Sequence, residues 1–170
     1  GIKKASGSWL NFLDADDFIS ERKIENQIRA LNDTKKYHFI VSPYFHVSIN
    51  GEDKKHFIKY PDTWKNLFSG NLGVTSSNLY KKKSIIEIGM WNEDYNSSQE
   101  AELMFKIIKK YGSPLLMKNE FQTIKYEQKS SISNLNKKNN LKTILTLKIL
   151  IIKYLEEFKP KYFQKEKGWF

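Results

Sequence analysis

There is no cysteine among the 170 residues, which removes a disulfide scaffold, a thiolate zinc site and a thiol nucleophile together and fits a reducing compartment. Arginine is nearly absent too: of 29 cationic residues only Arg22 and Arg29 are arginine. The guanidinium is the group suited to bidentate recognition of phosphates and base edges, so a nucleic-acid partner is not expected. No stretch reads as a secretory signal, and no run of about 18 apolar residues is long enough to span a bilayer. Also missing are a glycine-rich phosphate loop, a Ser/His/Asp order with a nucleophile turn, and a zinc motif.

What is present suffices for a folded domain. Hydrophobic residues make up 39% of the chain and aromatics 14%, enough for a core and against disorder of the whole chain. The net charge of +10 is unevenly placed. Residues 1–117 carry 17 cations and 14 anions, whereas residues 118–170 carry 12 and 5. The front therefore reads as an ordinary globular surface, and the tail as a segment that meets anions.

The near-continuous apolar run within residues 8–14 (SWLNFLD) predicts a strand buried on both faces, ending in Asp14-Ala15-Asp16-Asp17. Ser20 is a plausible N-cap for a helix whose apolar positions are Ile24, Ile28 and Leu31, stopped at Asn32-Asp33. Residues 38–49 read as strand, with Asn50-Gly51 turning the chain into a second strand at 56–60. A short helix at 63–68, a strand at 73–80 and a helical turn at 83–88 follow. Residues 97–111 form the clearest helix, then strands at about 114–117 and 121–127, a polar loop over 129–140, and a final helix over 141–158. The sum is an α/β domain with a mixed sheet flanked by helices, at residues 1–128, and a polar linker with a basic amphipathic helical tail at 129–170.

In open α/β sheets ligands sit outside the carboxyl ends of the strands, where Asp14, Asp16 and Asp17 fall. Three crowded carboxylates repel one another unless a cation or donors compensate, and hard oxygen ligands favour Mg²⁺ or Mn²⁺. The plainer alternative is an acidic turn in which Asp17 or Ser20 caps the next helix. Ser97-x-x-Glu100 likewise has the spacing of a capping box. His38, His46 and His56 show no metal spacing and are expected to be surface or packing residues.

Four motifs occur in order: Phe12–Asp17 (FLDADD), the run 75–82 (TSSNLYKK), the run 88–93 (IGMWNE) and the run 99–103 (QEAEL). Together they resemble the family 2 glycosyltransferases of the GT-A fold, which is Rossmann-like. The resemblance implies a transferase that moves a sugar from a nucleotide-sugar donor to a hydroxyl of a saccharide or lipid-linked glycan, with inversion. It places Asp14 and Asp16 at the family's metal and donor motif: Asp16 is the direct ligand of Mn²⁺ or Mg²⁺, Asp14 lies nearer the donor, and Asp17 shares either task. It also places Glu100 at the catalytic base, one methylene longer than the usual Asp, and Trp91 beside the acceptor. Glu102 is read as a helix-face charge.

Two departures stand out. In residues 125–133 (KYEQKSSIS), Gln128 occupies a place where the family often carries His. The nucleotide-binding first half that the resemblance implies has no counterpart here, so the chain is read as a partial GT-A domain carrying the metal and acceptor side. The alternative is a non-catalytic transferase-like module acting in binding or assembly. The tail joins an apolar helix face (Leu141, Ile144, Leu145, Ile151, Ile152 and Leu155) to lysines and late aromatics. It suits packing on its own domain or attachment to an anionic membrane surface, the latter giving a cytoplasmic protein peripheral to the inner face of the cell membrane.

Overall fold

The computed structural model describes residues 1–32, 35–95, 97–128 and 137–170. Of the loop expected over 129–140, residues 129–136 lie outside them, as does the 125–133 motif beyond Gln128. Among the described residues two four-stranded sheets form. The first holds, in spatial order, β1 (Trp9–Leu10), β6 (Leu79–Lys81), β3 (Phe39–Val41) and β7 (Leu115–Leu116). Because β1 and β3 both pair antiparallel with β6, and β7 pairs parallel with β3, three strands of this sheet run the same way. The second holds β2 (Asp17–Ile19), β8 (Thr123–Tyr126), β4 (Tyr44–Val47) and β5 (Lys54–His56), again with mixed pairing.

The chain leaves the carboxyl end of each of the three co-directional strands and enters the second sheet: β1 through the Asp14–Asp16 turn, β3 through Ser42-Pro43, β7 through residues 117–122. This connectivity sets the second sheet against the end of the first where ligands of α/β proteins bind. The strand expected over 38–49 is thus two strands in two sheets. Pro43 lacks the N–H that a continuous ladder would need at the break.

The first strand is shorter than its apolar run and not buried on both faces. β1 lies at a sheet edge, with Leu10 buried, Trp9 half-buried and Leu13 exposed. The strand expected over 73–80 shrinks to β6, because residues 73–78 make a turn in which the Ser77 and Asn78 amides both donate to the Val74 carbonyl. Gly73 sits there at φ +69°, and a Cβ on it would lie 2.5 Å from Asn78 Oδ1 and 2.9 Å from the Ser42 carbonyl, so only glycine fits.

Helix α1 (Lys23–Ala30) turns a face to the interior other than the one its apolar spacing predicts. Ile24 and Ile28 are exposed, while Lys23 and Gln27 are buried together with Leu31. Partners make this tolerable. The Gln27 amide donates to Ser42 Oγ and to the Ser77 carbonyl, each at 2.9 Å, and Gln27 Oε1 accepts from Lys23 Nζ at 3.0 Å. Burial pushes the Lys23 amine down to about 8. Ser20 does not cap α1: Arg22 occupies that position without a side-chain bond, and Ser20 Oγ is buried with no partner among the described residues.

Helices α2 (Thr63–Ser69), α3 (Lys82–Glu87) and α4 (Gln99–Tyr111) match expectation closely. Asp62 caps α2 by accepting from the Lys65 amide at 2.9 Å, and left-handed Gly70 ends it. The tail forms α5 (Lys137–Phe158), four residues longer at its start than expected, and α6 (Pro160–Glu166), which begins on its proline. Leu147, Ile151 and Leu155 of α5 enter the same core as Phe39, Tyr80, Leu103 and Ile107. By contrast Leu141, Ile144 and Leu145, expected on the buried face, are exposed along with Ile149 and Leu150. The end of the chain is fastened to α2: Tyr162 donates to Asp62 Oδ1 at 2.9 Å, Lys65 pairs with Glu166 at 2.5 Å, and Trp169 packs on Phe68.

Candidate functional site

The Asp14–Asp17 turn closes through the Asp17 amide, which donates to the Asp14 carbonyl at 3.1 Å. Asp14 and Asp16 are exposed, whereas Asp17 begins β2 and is half-buried. It accepts a short hydrogen bond from the Ser76 hydroxyl, so Asp17 is tied to the 73–78 turn and caps no helix. Burial holds the Asp17 carboxyl above the usual carboxylate range. Ser76 and Lys125 draw it back down, while Asp14 and Asp16 push it further up.

Among the described residues no three His, Cys, Asp or Glu side chains converge as a ready metal cage. Mg²⁺ and Mn²⁺ do not need one, since a typical site uses one or two carboxylates plus a substrate's phosphates. Asp14 and Asp16 offer such a pair to solvent, and their mutual charge, felt at Asp17, is what a cation would relieve. The residues present therefore fit the ion.

Glu100 lies in the first turn of α4, near the positive end of the helix dipole. The capping box that Ser97 and Glu100 could make is not formed. The N-cap is Ser98, in the left-handed region at φ +57°, with no side-chain cap, and Ser97 Oγ is buried without a partner among the described residues. Glu100 instead lines a cavity of about 340 Å³ with Tyr44, Ser98, Met104 and, from α5, Ile144 and Lys148. Tyr44 links the two acidic sites: its hydroxyl is pushed up to about 12, by burial first and then by Glu100 and Asp17. It stays protonated at neutral pH.

Trp91 is half-buried and packs edge-to-face on Phe12, ring centroids 5.2 Å apart, two residues before Asp14. Glu102 differs from its reading as a solvated helix-face charge. It is buried, paired with Lys106 at 3.4 Å, and its Oε2 has no partner among the described residues. The helical period does not account for this, since it sets Glu102 away from Met104, Ile107 and Ile108; its burial comes from tertiary packing around α4.

Sequence reasoning missed the contribution of the second sheet. Asp17 opposes Lys125, Lys125 opposes His46, and His46 opposes Lys54, so one row crosses all four strands. Tyr44 and His56 stand two residues along on the same face, their rings stacked at 4.6 Å. The available signal was the alternation of Tyr44 and His46 facing His56 across the Asn50-Gly51 hairpin. His38 lies elsewhere, stacked on Tyr111.

Known proteins give this geometry its context. The profile described as Glycosyl transferase family 2 matches residues 1–111. An uncharacterized glycosyltransferase of Rickettsia felis is 27% identical over 154 residues, covering 83% of this chain and 25% of that protein. A second, from Rickettsia conorii, is 26% identical with the same coverage. The crystal structure of S. aureus TarS 1-349 in complex with UDP-GlcNAc superposes with a TM-score of 0.65 at 12% identity, over 96% of this chain and 51% of that one. TarS 1-349 alone gives 0.62 at 11% identity, over 89% of this chain and 42% of that one. The chain thus spans about a quarter of the curated relatives it matches, and the fold it shares with TarS is GT-A. With the family profile matched across every motif from the Asp turn to α4, this chain belongs to glycosyl transferase family 2.

Proposed function

We propose that the protein containing this chain transfers a sugar from a nucleotide-sugar donor to a hydroxyl of a saccharide or lipid-linked glycan, with Mn²⁺ or Mg²⁺ held by Asp16 and Asp14. One observation carries the reading: Tyr44 and Glu100 line one cavity, and Tyr44 also feels the charge of Asp17, which supports the candidate base and the acidic turn serving one site. The TarS structure with UDP-GlcNAc supports a donor of that class. Glu100, free of a capping role, takes the proton from the acceptor hydroxyl as that oxygen attacks the anomeric carbon and the bond to the donor diphosphate breaks. Attack opposite the leaving group inverts the anomeric carbon. Trp91 and the cavity wall from α5 orient the acceptor. A bound ion would supply Lewis-acid stabilisation of the departing diphosphate. Incubating the whole protein with a panel of nucleotide sugars and glycan acceptors should release a nucleoside diphosphate from one donor class; release from none overturns the reading.

The tail adds a location to this proposal. Among the described residues no helix is long and apolar enough to cross a membrane. On α5, however, exposed Leu141, Leu145 and Ile149 recur every four residues beside Lys138, Lys142 and Lys153. An exposed apolar stripe flanked by lysines suits the surface of an anionic membrane, where each lysine contributes about 1 kcal/mol until salt screens it. Because Leu147, Ile151 and Leu155 are core residues, deleting the helix would unfold the domain, and point changes are the better test. The chain should sediment with vesicles containing phosphatidylserine at low salt and leave them at high salt. Leu145→Ser with Ile149→Ser should abolish sedimentation without changing the melting temperature. Equal sedimentation of variant and parent removes the membrane role.

A further inference from the structure

The row crossing the second sheet is unusual in its charge. His46 and His56 meet edge-to-face with ring centroids 5.8 Å apart, and Lys54, Lys59, Lys125 and His46 all press on His56 with like charge. Like charges on facing strands destabilise a sheet unless something of opposite sign is near. The anions at hand are largely engaged. Asp17 holds Ser76, with Asp14 and Asp16 beyond it in the metal-fitting turn. At the other end Glu127 accepts from the Ser48 hydroxyl at 3.0 Å and the Ile49 amide at 3.2 Å, and exposed Glu52 lies 3.6 Å from Lys54. Partial desolvation first, then those four neighbours, holds the imidazole of exposed His56 below its usual range, and an anion beside it would act against that shift. The face lies between the acidic turn and Tyr44 of the Glu100 cavity.

We propose that Lys125, His46 and His56 form a phosphate-binding face, which receives a phosphate group of the substrate beside the reacting centre. A tetrahedral phosphate presents several oxygens at once, which matches a lysine and two imidazoles converging from β8, β4 and β5. The inference rests on the transferase reading for the substrate but not for the binding itself. The phosphate belongs either to the donor's diphosphate, shared with the ion at Asp16, or to a phosphate ester within the acceptor.

The test uses this chain as it is, following the histidine C2–H signals by NMR while inorganic pyrophosphate or methyl phosphate is titrated without metal. The His46 and His56 signals should shift and that of His38 should not, and the His56 titration midpoint should rise by about one pH unit. Lys125→Met should weaken phosphate binding about tenfold, as loss of a charge-assisted hydrogen bond does, and His56→Gln should weaken it without disturbing His38. Adding Mg²⁺ separates the sources. Tighter pyrophosphate binding that Asp16→Asn removes assigns the face to the donor diphosphate, whereas methyl phosphate binding indifferent to both assigns it to the acceptor. Unmoved His46 and His56 signals, or a Lys125→Met protein that titrates like the parent, overturn the proposal. Line broadening by Mn²⁺ around Asp16 reports on the metal site separately, so this face can fail while the metal-dependent transferase stands, or the reverse.

Discussion

Asp16→Ala in the full-length protein is expected to reduce turnover by about 10²–10³-fold or more, the cost of losing a group that stabilises charge in the transition state. Metal-dependent donor binding, followed by calorimetry with and without Mn²⁺, should disappear with it. The fold should not notice, because Asp16 is exposed in a turn closed by backbone atoms. Asp17 provides the contrast. Its carboxylate anchors the 73–78 turn through Ser76, so Asp17→Ala should cost about 1–3 kcal/mol of stability by leaving the hydroxyl of buried Ser76 without its acceptor. These outcomes would separate two adjacent acids into one that acts on substrate and one that holds the turn together. Undiminished transfer in EDTA would sink the metal-ligand role of Asp16.

The second large effect concerns Glu100. Glu100→Gln keeps size and polarity but cannot accept a proton, and kcat/KM should fall by about 10²–10⁴-fold, the usual contribution of a general base. Stability should move little. The helix start is capped by no side chain, and the change forfeits only the attraction between a carboxylate and the helix dipole, about 0.3–1 kcal/mol. Thermal melts run beside the kinetics distinguish the cases: a markedly lower melting temperature with full activity per folded molecule returns Glu100 to a structural role. Ser97→Ala sharpens the comparison, since in a capping box it would cost as much as a lost cap, whereas here Ser97 Oγ bonds to nothing described.

Much of the architecture was legible in the amino-acid order because local chemistry determined it. Gly70 and Gly112 stop α2 and α4, and the Asn50-Gly51 pair turns the β4–β5 hairpin. These signals act within a few residues and need no partner from elsewhere. The four ordered motifs likewise carried the family from sequence alone, and its profile covers the same stretch.

What only the tertiary structure decided depends on contacts between distant segments. The apolar spacing of α1 assigned Ile24 and Ile28 to the core, yet Lys23 and Gln27 went inside, because Ser42 and Ser77 supply the hydrogen bonds that make a buried amide tolerable. Spacing along one helix cannot register acceptors 15 and 50 residues away. The strand over 38–49 divided at Pro43 because two sheets compete for it. The tail helix carries apolar residues around most of its circumference, so its sequence left open which would pack, and the core chose Leu147, Ile151 and Leu155. The candidate site follows the same division. Its acids were readable as motifs, but the row of Asp17, Lys125, His46 and Lys54 exists only through strand register. Only the β4–β5 step of that row is set locally, by the Asn50-Gly51 hairpin; the β2–β8 and β8–β4 steps pair segments far apart in the chain, a choice that no local pattern encodes.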